Sequence, residues 1–246
     1  MYAKQYGVDL AELRLALEEH PSLAAFFVRR LREGARTFCA EPGSLAAPCD
    51  GTVQAVDQIQ DGMVLQAKGR PYAVKEILGE TLTPASLEGG SAWTIYLSPR
   101  DYHRVHAPVA GQLEQVRWLG GARFSVAPKV LLARPKVLSV NERAVLRLAS
   151  EHGPLYLVMV GALNVGRIRV VGVEPSTGGL SMPARNVARG EELARFEMGS
   201  TVVLLAPAAG PRPIAGLTPG KTLRMGEIIG RLEAGRTVAT SPNRVS

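Results

Sequence analysis

Cysteine is nearly absent. The chain of 246 residues has two, Cys39 and Cys49, with no CxxC pair and no Cys/His cluster, so neither a disulfide framework nor a zinc site is indicated. Aromatic residues make up only 5% of the chain, and no basic segment is interleaved with them, which argues against a nucleic-acid binder. Long apolar runs are missing too. The longest, residues 155–163, falls far short of the roughly 18 residues that a membrane-spanning helix needs. A secretory leader is not indicated either, because Asp9, Glu12, Arg14, Glu18 and Glu19 interrupt the stretch that would have to be its apolar core. The expectation is a chain that stays in the cytosol.

What is present is length enough for one large domain or two small ones, and 46% hydrophobic residues to fill a core. Gly and Pro together make 43 residues, which is about 17% against a usual 12% or so, and implies many turns. Lys and Arg number 29 against 22 acidic residues. The formal charge of +7 favours an anionic partner, nucleic acid or an acidic lipid surface, without choosing between them.

Residues 1–36 read as a helical segment. Leu10, Leu13 and Leu17 recur at helical spacing, and Leu23, Ala24, Phe27 and Leu31 form a second stripe beyond His20 and Pro21. In the second stripe Arg29, Arg30, Arg32 and Arg36 accompany Phe26, Phe27 and Leu31, a composition that suits either an interfacial helix on anionic lipid or a core-packed helix with a basic outer face. Residues 37–246 read as a β-rich domain of short strands separated by Gly and Pro, a sandwich or barrel rather than a βαβ fold. One internal echo is visible: PCDGTVQAV from Pro48 and PVAGQLEQV from Pro108 share P-x-x-G-x-[VL]-x-x-V. A turn and strand used twice suggests the paired halves of a barrel-sandwich hybrid. The expected class is therefore mainly β (α+β), with short amphipathic helices at the N-terminus and a loose tail at the other end.

Three places could carry chemistry. The densest polar cluster, YLSPRDYHRVHAP, holds His103 and His106, either of which could act as a base or acid near neutral pH, or serve as a hydrogen-bonded structural residue. Their spacing lacks further ligands for a metal, and none is expected. His20 and His152 lie in turn-like settings and read as surface residues. Gly199, Ser200 and Thr201 open an apolar strand, as an ordinary turn does; a glycine carbonyl followed by a serine hydroxyl is also what backbone self-attack requires. Asp50, in a D-G turn, is either a turn former or the carboxylate that orients a histidine.

Taken together, these segments resemble the phosphatidylserine decarboxylase proenzyme family, which is self-cleaving and pyruvoyl-dependent. The matching stretches, in order, are FFVRRLREGARTF, APCDGTV, YLSPRDYHRVHAPVAG, ARFSVAP, NERAVL, VGALNVGRI and RGEELARFEMGSTVVLL. Met198 stands where the family often has Leu, Cys49 where it usually has Ala, and Arg167 where it often has Ser; the last marks either an extra surface charge or an altered head-group site.

The resemblance implies that Ser200, with His106 as base and Asp50 orienting it, attacks the Gly199 carbonyl. The chain would separate into residues 1–199 and 200–246, and position 200 would become a covalent pyruvoyl group. It further implies decarboxylation of phosphatidylserine to phosphatidylethanolamine, with His103 as general acid and Tyr102 and Phe124 as candidates for contacting substrate. Three residues of spacing leave open which histidine faces Ser200. Expected partners are an anionic phospholipid, the cytoplasmic side of the cell membrane as a peripheral surface, the two cleaved chains with one another, and a second copy in a homodimer. Two other readings stand beside this one: a pyruvoyl decarboxylase of another serine-headed lipid or an amino acid, and a noncatalytic hybrid-motif binding module. A biotinyl or lipoyl carrier would need a lysine at the turn, and neither PCDGTV nor PVAGQL supplies one.

Overall fold

The structure is a computed structural model that describes residues 2–66, 70–79, 87–162, 168–175, 179–197 and 200–232. The helical content of the N-terminal segment comes in short pieces: α1 (Tyr2–Tyr6), two single 3₁₀ turns at Leu10–Glu12 and Leu17–Glu19, and α2 (Leu23–Phe27). Gly7, at φ +70°, breaks the first piece; Asp9 then caps the next turn through Ala11 N, and Ser22 caps α2 through Ala25 N. After α2 the arm doubles back, with Leu13 bridged to Leu31 and Arg32 N donating to Glu12 O.

Two expectations are corrected here. No continuous basic helix forms over residues 23–36. Phe26 and Phe27, each 3% exposed, face inward, and Arg29 is buried. A helix that ends at Phe27 cannot carry four arginines on one outer face. His152 is likewise no surface residue, being 2% exposed.

The strands begin with β1 (Ser44–Ala46), β2 (Gly51–Gln58), β3 (Met63–Gln66) and β4 (Arg70–Ala73); then come helix α3 (Val74–Leu78), β5 (Ser91–Leu97), β6 (Arg104–His106) and β7 (Gly111–Leu119). Helices α4 (Pro128–Ala133) and α5 (Val137–Val140) precede β8 (Arg143–Ala149), β9 (Leu155–Val160), β10 (Ile168–Val170), β11 (Leu180–Ser181) and β12 (Arg185–Val187). The chain continues through β13 (Glu192–Phe196), β14 (Ser200–Ala206), β15 (Arg212–Pro213), β16 (Thr222–Leu223) and β17 (Ile228–Arg231).

The largest sheet is antiparallel and runs β11-β7-β8-β9-β14-β5-β2-β16, with β12 also on β7. Along β14, Val202, Leu204 and Ala206 enter one apolar cluster while Val203 and Leu205 enter another. Because both faces are covered, β9 and β14 read as unbroken apolar runs rather than alternating ones. Each fully buried Leu or Val there stabilises the fold by roughly 1.5–3 kcal/mol. Ile77, Leu131 and Leu138, from α3, α4 and α5, belong to the second cluster.

The internal echo extends well beyond the two motifs. β1 leads through a bend into β2, as β6 leads into β7, and each long strand carries a register shift at the same place, between Val53 and Ala55 and between Leu113 and Gln115. Ala46 N donates to Pro108 O at 3.2 Å while His106 N donates to Pro48 O at 2.8 Å, so each copy binds the turn of the other. The partners repeat too: β16 and β17 pair with β2 and β1, as β12 and β13 pair with β7 and β6. The opening glycines are required by close approach. A Cβ on Gly51 would sit 2.5 Å from Tyr96 O, and one on Gly111 2.2 Å from Ala149 O.

Candidate active site

The site grows from the loop that joins β5 to β6. Asp101 closes this loop by accepting from Ser98 N and Ser98 Oγ, both at 2.7 Å. Its own carbonyl then accepts from His103 Nδ1 at 2.8 Å, which fixes the proton on Nδ1 and leaves Nε2 with a lone pair. His103 is fully buried against the Phe27 ring, 4.0 Å between centroids, and Nε2 has no partner among the described residues. Burial, assisted by the nearby Arg29 charge, pushes its pKa down to about 3 despite the bond to Asp101. At neutral pH it is a neutral imidazole.

His106 ends β6. Its Nδ1 donates to Gly190 O at 2.8 Å, so Nε2 carries the lone pair, and unlike that of His103 it accepts from the Tyr102 hydroxyl, at 3.3 Å. Tyr102, with its pKa raised to about 12 mainly by burial, is a neutral donor. Burial lowers the His106 pKa; the Gly190 bond and the charges of Glu192 and Asp50 oppose that.

Ser200 opens β14 opposite Leu97 and is fully buried, and its Oγ has no hydrogen-bond partner among the described residues. Phe196 N donates to His103 O at 3.0 Å, which ties the histidine loop to the stretch just ahead of the serine. Met198, Gly199 and Arg167 lie outside the described residues.

Asp50 takes a different set of partners from the one expected. Its carboxylate accepts from Arg36 Nε at 2.8 Å and Arg36 Nη2 at 2.5 Å, and Oδ1 also accepts from Met225 N at 2.8 Å. It reaches His106 through charge rather than through a hydrogen bond. The tautomer of His106 is set by the Gly190 carbonyl. Arg36 Nη2 also donates to Glu12 at 2.8 Å, so the N-terminal arm is bolted onto the Asp50 turn. Phe124 packs on the second core cluster, under the Arg134 guanidinium at 3.6 Å.

Sequence reasoning therefore missed Arg36 as a partner of Asp50, and missed the backbone of Gly190 and Met225. A signal existed for the last two. RGEELARF from Arg189 and MGEIIGRL from Met225 share G-E followed by an apolar strand, and both glycines have positive φ, +81° and +93°. Among the described residues no group of three or more His, Cys, Asp and Glu could hold a metal ion.

A duplicated β framework that buries Ser200, His103 and His106 defines a mainly-β protein. The phosphatidylserine decarboxylase family pattern matches residues 23–231. Phosphatidylserine decarboxylase proenzymes of Halorhodospira halophila, Azotobacter vinelandii and Pseudomonas aeruginosa are 44%, 38% and 37% identical to it. The alignments cover 93%, 94% and 93% of this chain and 81%, 85% and 83% of those proteins. The chain belongs to the phosphatidylserine decarboxylase family.

Proposed function

We propose that the chain is a self-cleaving proenzyme whose product decarboxylates phosphatidylserine to phosphatidylethanolamine and carbon dioxide, at the cytoplasmic face of a membrane. The observation that carries the reading is the orphaned hydroxyl of Ser200, buried at the head of a strand, four residues after Phe196, whose N–H donates to the carbonyl of the buried His103.

In the first reaction His106 accepts the Ser200 proton on Nε2, with Nδ1 held by Gly190 and the imidazolium stabilised by the charges of Asp50 and Glu192. The serine oxygen attacks the Gly199 carbonyl, the C–N bond breaks and an ester replaces the amide. Loss of the Cα proton and of the Gly199 carboxylate leaves dehydroalanine at position 200. Water then releases ammonia and leaves a pyruvoyl ketone. The site suits such a group, because a buried position without a hydrogen-bond partner loses nothing when its hydroxyl is consumed.

The ketone supplies an electron sink for the pair released with carbon dioxide. Around it, His103 takes a proton from the substrate ammonium on Nε2 and returns it to the reacting carbon, so the residue acts as a carrier that starts neutral. The hydroxyl of Tyr102 keeps His106 in place. The smaller chain stays bound after scission, since β14 is hydrogen-bonded on both sides, to β5 and β9. Tyr6, Leu10, Leu15 and Leu23 leave apolar surface on the arm, which supports peripheral contact with lipid.

Intact mass spectrometry of the wild type beside Ser200→Ala tests the reading. Two fragments parting between Gly199 and Ser200, the smaller blocked by pyruvoyl and the variant uncut, are expected. A wild type that stays whole on long incubation overturns it.

A further inference from the structure

A cavity of about 260 Å³ lies between the N-terminal arm and the loop after β5, lined among others by Arg29, Asp50, Arg100, Asp101, Tyr102 and Arg224. Four carboxylates border it, and each has a partner. Asp50 and Glu12 share Arg36, and Glu12 also meets Arg224 at 3.2 Å. Asp101 is held by Ser98 and lies 3.8 Å from Arg100, and Asp9 caps its own turn.

Arg29 is the exception. It is 4% exposed, and its Nη2 donates to the carbonyls of Arg100 and Asp101 at 2.6 and 2.9 Å. Nε and Nη1 are buried with no hydrogen-bond partner, and among the described residues Arg29 has no ion pair within 4.0 Å. The Phe26 ring, 5.2 Å from the guanidinium carbon, offers only a π face. The charges of Asp50 and Asp101 favour this cation, but burial outweighs them, so a directly bonded anion would relieve a remaining cost.

We propose that this cavity is an anion site that takes the phosphodiester of the lipid headgroup, with Arg29 as its charged donor. A phosphodiester carries one negative charge, which matches one guanidinium that feels Asp50 and Asp101 from a distance but makes no ion pair among the described residues. Tyr102 lines the cavity and meets His106, so an anion held there adjoins the reacting centre. The inference rests on reading Ser200 as the reacting group, because that places the serine end of the headgroup deeper and its phosphodiester next along.

The test uses the mature protein, with rates divided by the pyruvoyl-bearing fraction read from intact mass. Arg29→Gln should raise KM for phosphatidylserine in mixed micelles by about tenfold or more with kcat changed much less, and Arg29→Lys should fall between. Glycerophosphoserine should bind the wild type by calorimetry, bind Arg29→Lys more weakly, and outcompete free serine. Should Arg29→Gln fail to fold, the calorimetric comparison of wild type and Arg29→Lys decides. An unchanged KM, a loss confined to kcat, or binding of inorganic phosphate without glycerophosphoserine overturns the proposal. A wild type that never cuts at Ser200 refutes the proposed function instead, and glycerophosphoserine binding can still be measured on that uncut chain.

Discussion

Replacing Arg36 by Met would keep the aliphatic stem and remove the guanidinium that Asp50 and Glu12 share. The side chains of Arg36 and Asp50 are 8% and 9% exposed, so this is a buried pair rather than a surface one. Breaking such a pair from one side costs about 3–5 kcal/mol, because the remaining charge is left in place without its counter-ion. Two features reduce the figure. Met225 N still donates to Asp50, and Glu12 keeps Arg224 at 3.2 Å. A loss near the lower end, about 3 kcal/mol, is therefore expected in urea unfolding, measured in a Ser200→Ala background so that one intact chain is compared throughout. Adding Asp50→Asn should recover part of the loss, giving a coupling energy of about 1–3 kcal/mol in the double-mutant cycle. A cost below about 1 kcal/mol, or strict additivity, would refute the idea that the arm is held through this pair.

Other outcomes follow from the same geometry. Burial lowers the pKa of His103, His106 and His152, so the unfolded chain binds more protons than the folded one below about pH 6.5; stability falls as pH drops from there, by about 1.4 kcal/mol per pH unit for each histidine still neutral in the fold. Flat stability of the uncut variant between pH 6.5 and 4.5 in urea titrations would contradict that. His106→Ala should remain a single chain on a denaturing gel, whereas His103→Ala should cut and yet release no carbon dioxide from labelled phosphatidylserine; the reverse pattern exchanges their roles. Gly111→Ala, whose methyl would meet Ala149 O at 2.2 Å, should cost about 3 kcal/mol or abolish folding, while Gly120→Ala, with nothing within 4 Å, should change stability by less than about 1 kcal/mol.

Much of the framework was legible because it is local. Gly-bounded apolar runs such as TVQAV and STVVLLA announce strands, and the shared P-x-x-G announces that two of them begin alike. The histidines and Ser200 stood out by residue type and order. What stayed hidden is what depends on distant pairing. Nothing near Arg36 in the chain says that it will lie on Asp50, and no side-chain pattern marks a backbone donor such as Met225 N or an acceptor such as Gly190 O. The apolar spacing of Leu10, Leu13 and Leu17 suggested a longer helix. Gly7, Pro21 and the bridge from Leu13 to Leu31 divide the arm instead, and inward burial of Arg29 cannot be told from exposure by periodicity alone.

The duplicated framework also sets an order of events during synthesis. The first copy, β1 and β2, is completed by β17 and β16, which leave the ribosome only after Ser200 has been made. Met225 N, which grips Asp50, comes from the same late segment. A nascent chain ending shortly after Ser200 thus holds the proposed nucleophile but lacks the partners that complete β1, β2 and the Asp50 turn. On the proposed reading, a product truncated before Met225 is expected to stay uncut, because the strands and the backbone donor that complete the Asp50 turn lie beyond Ser200.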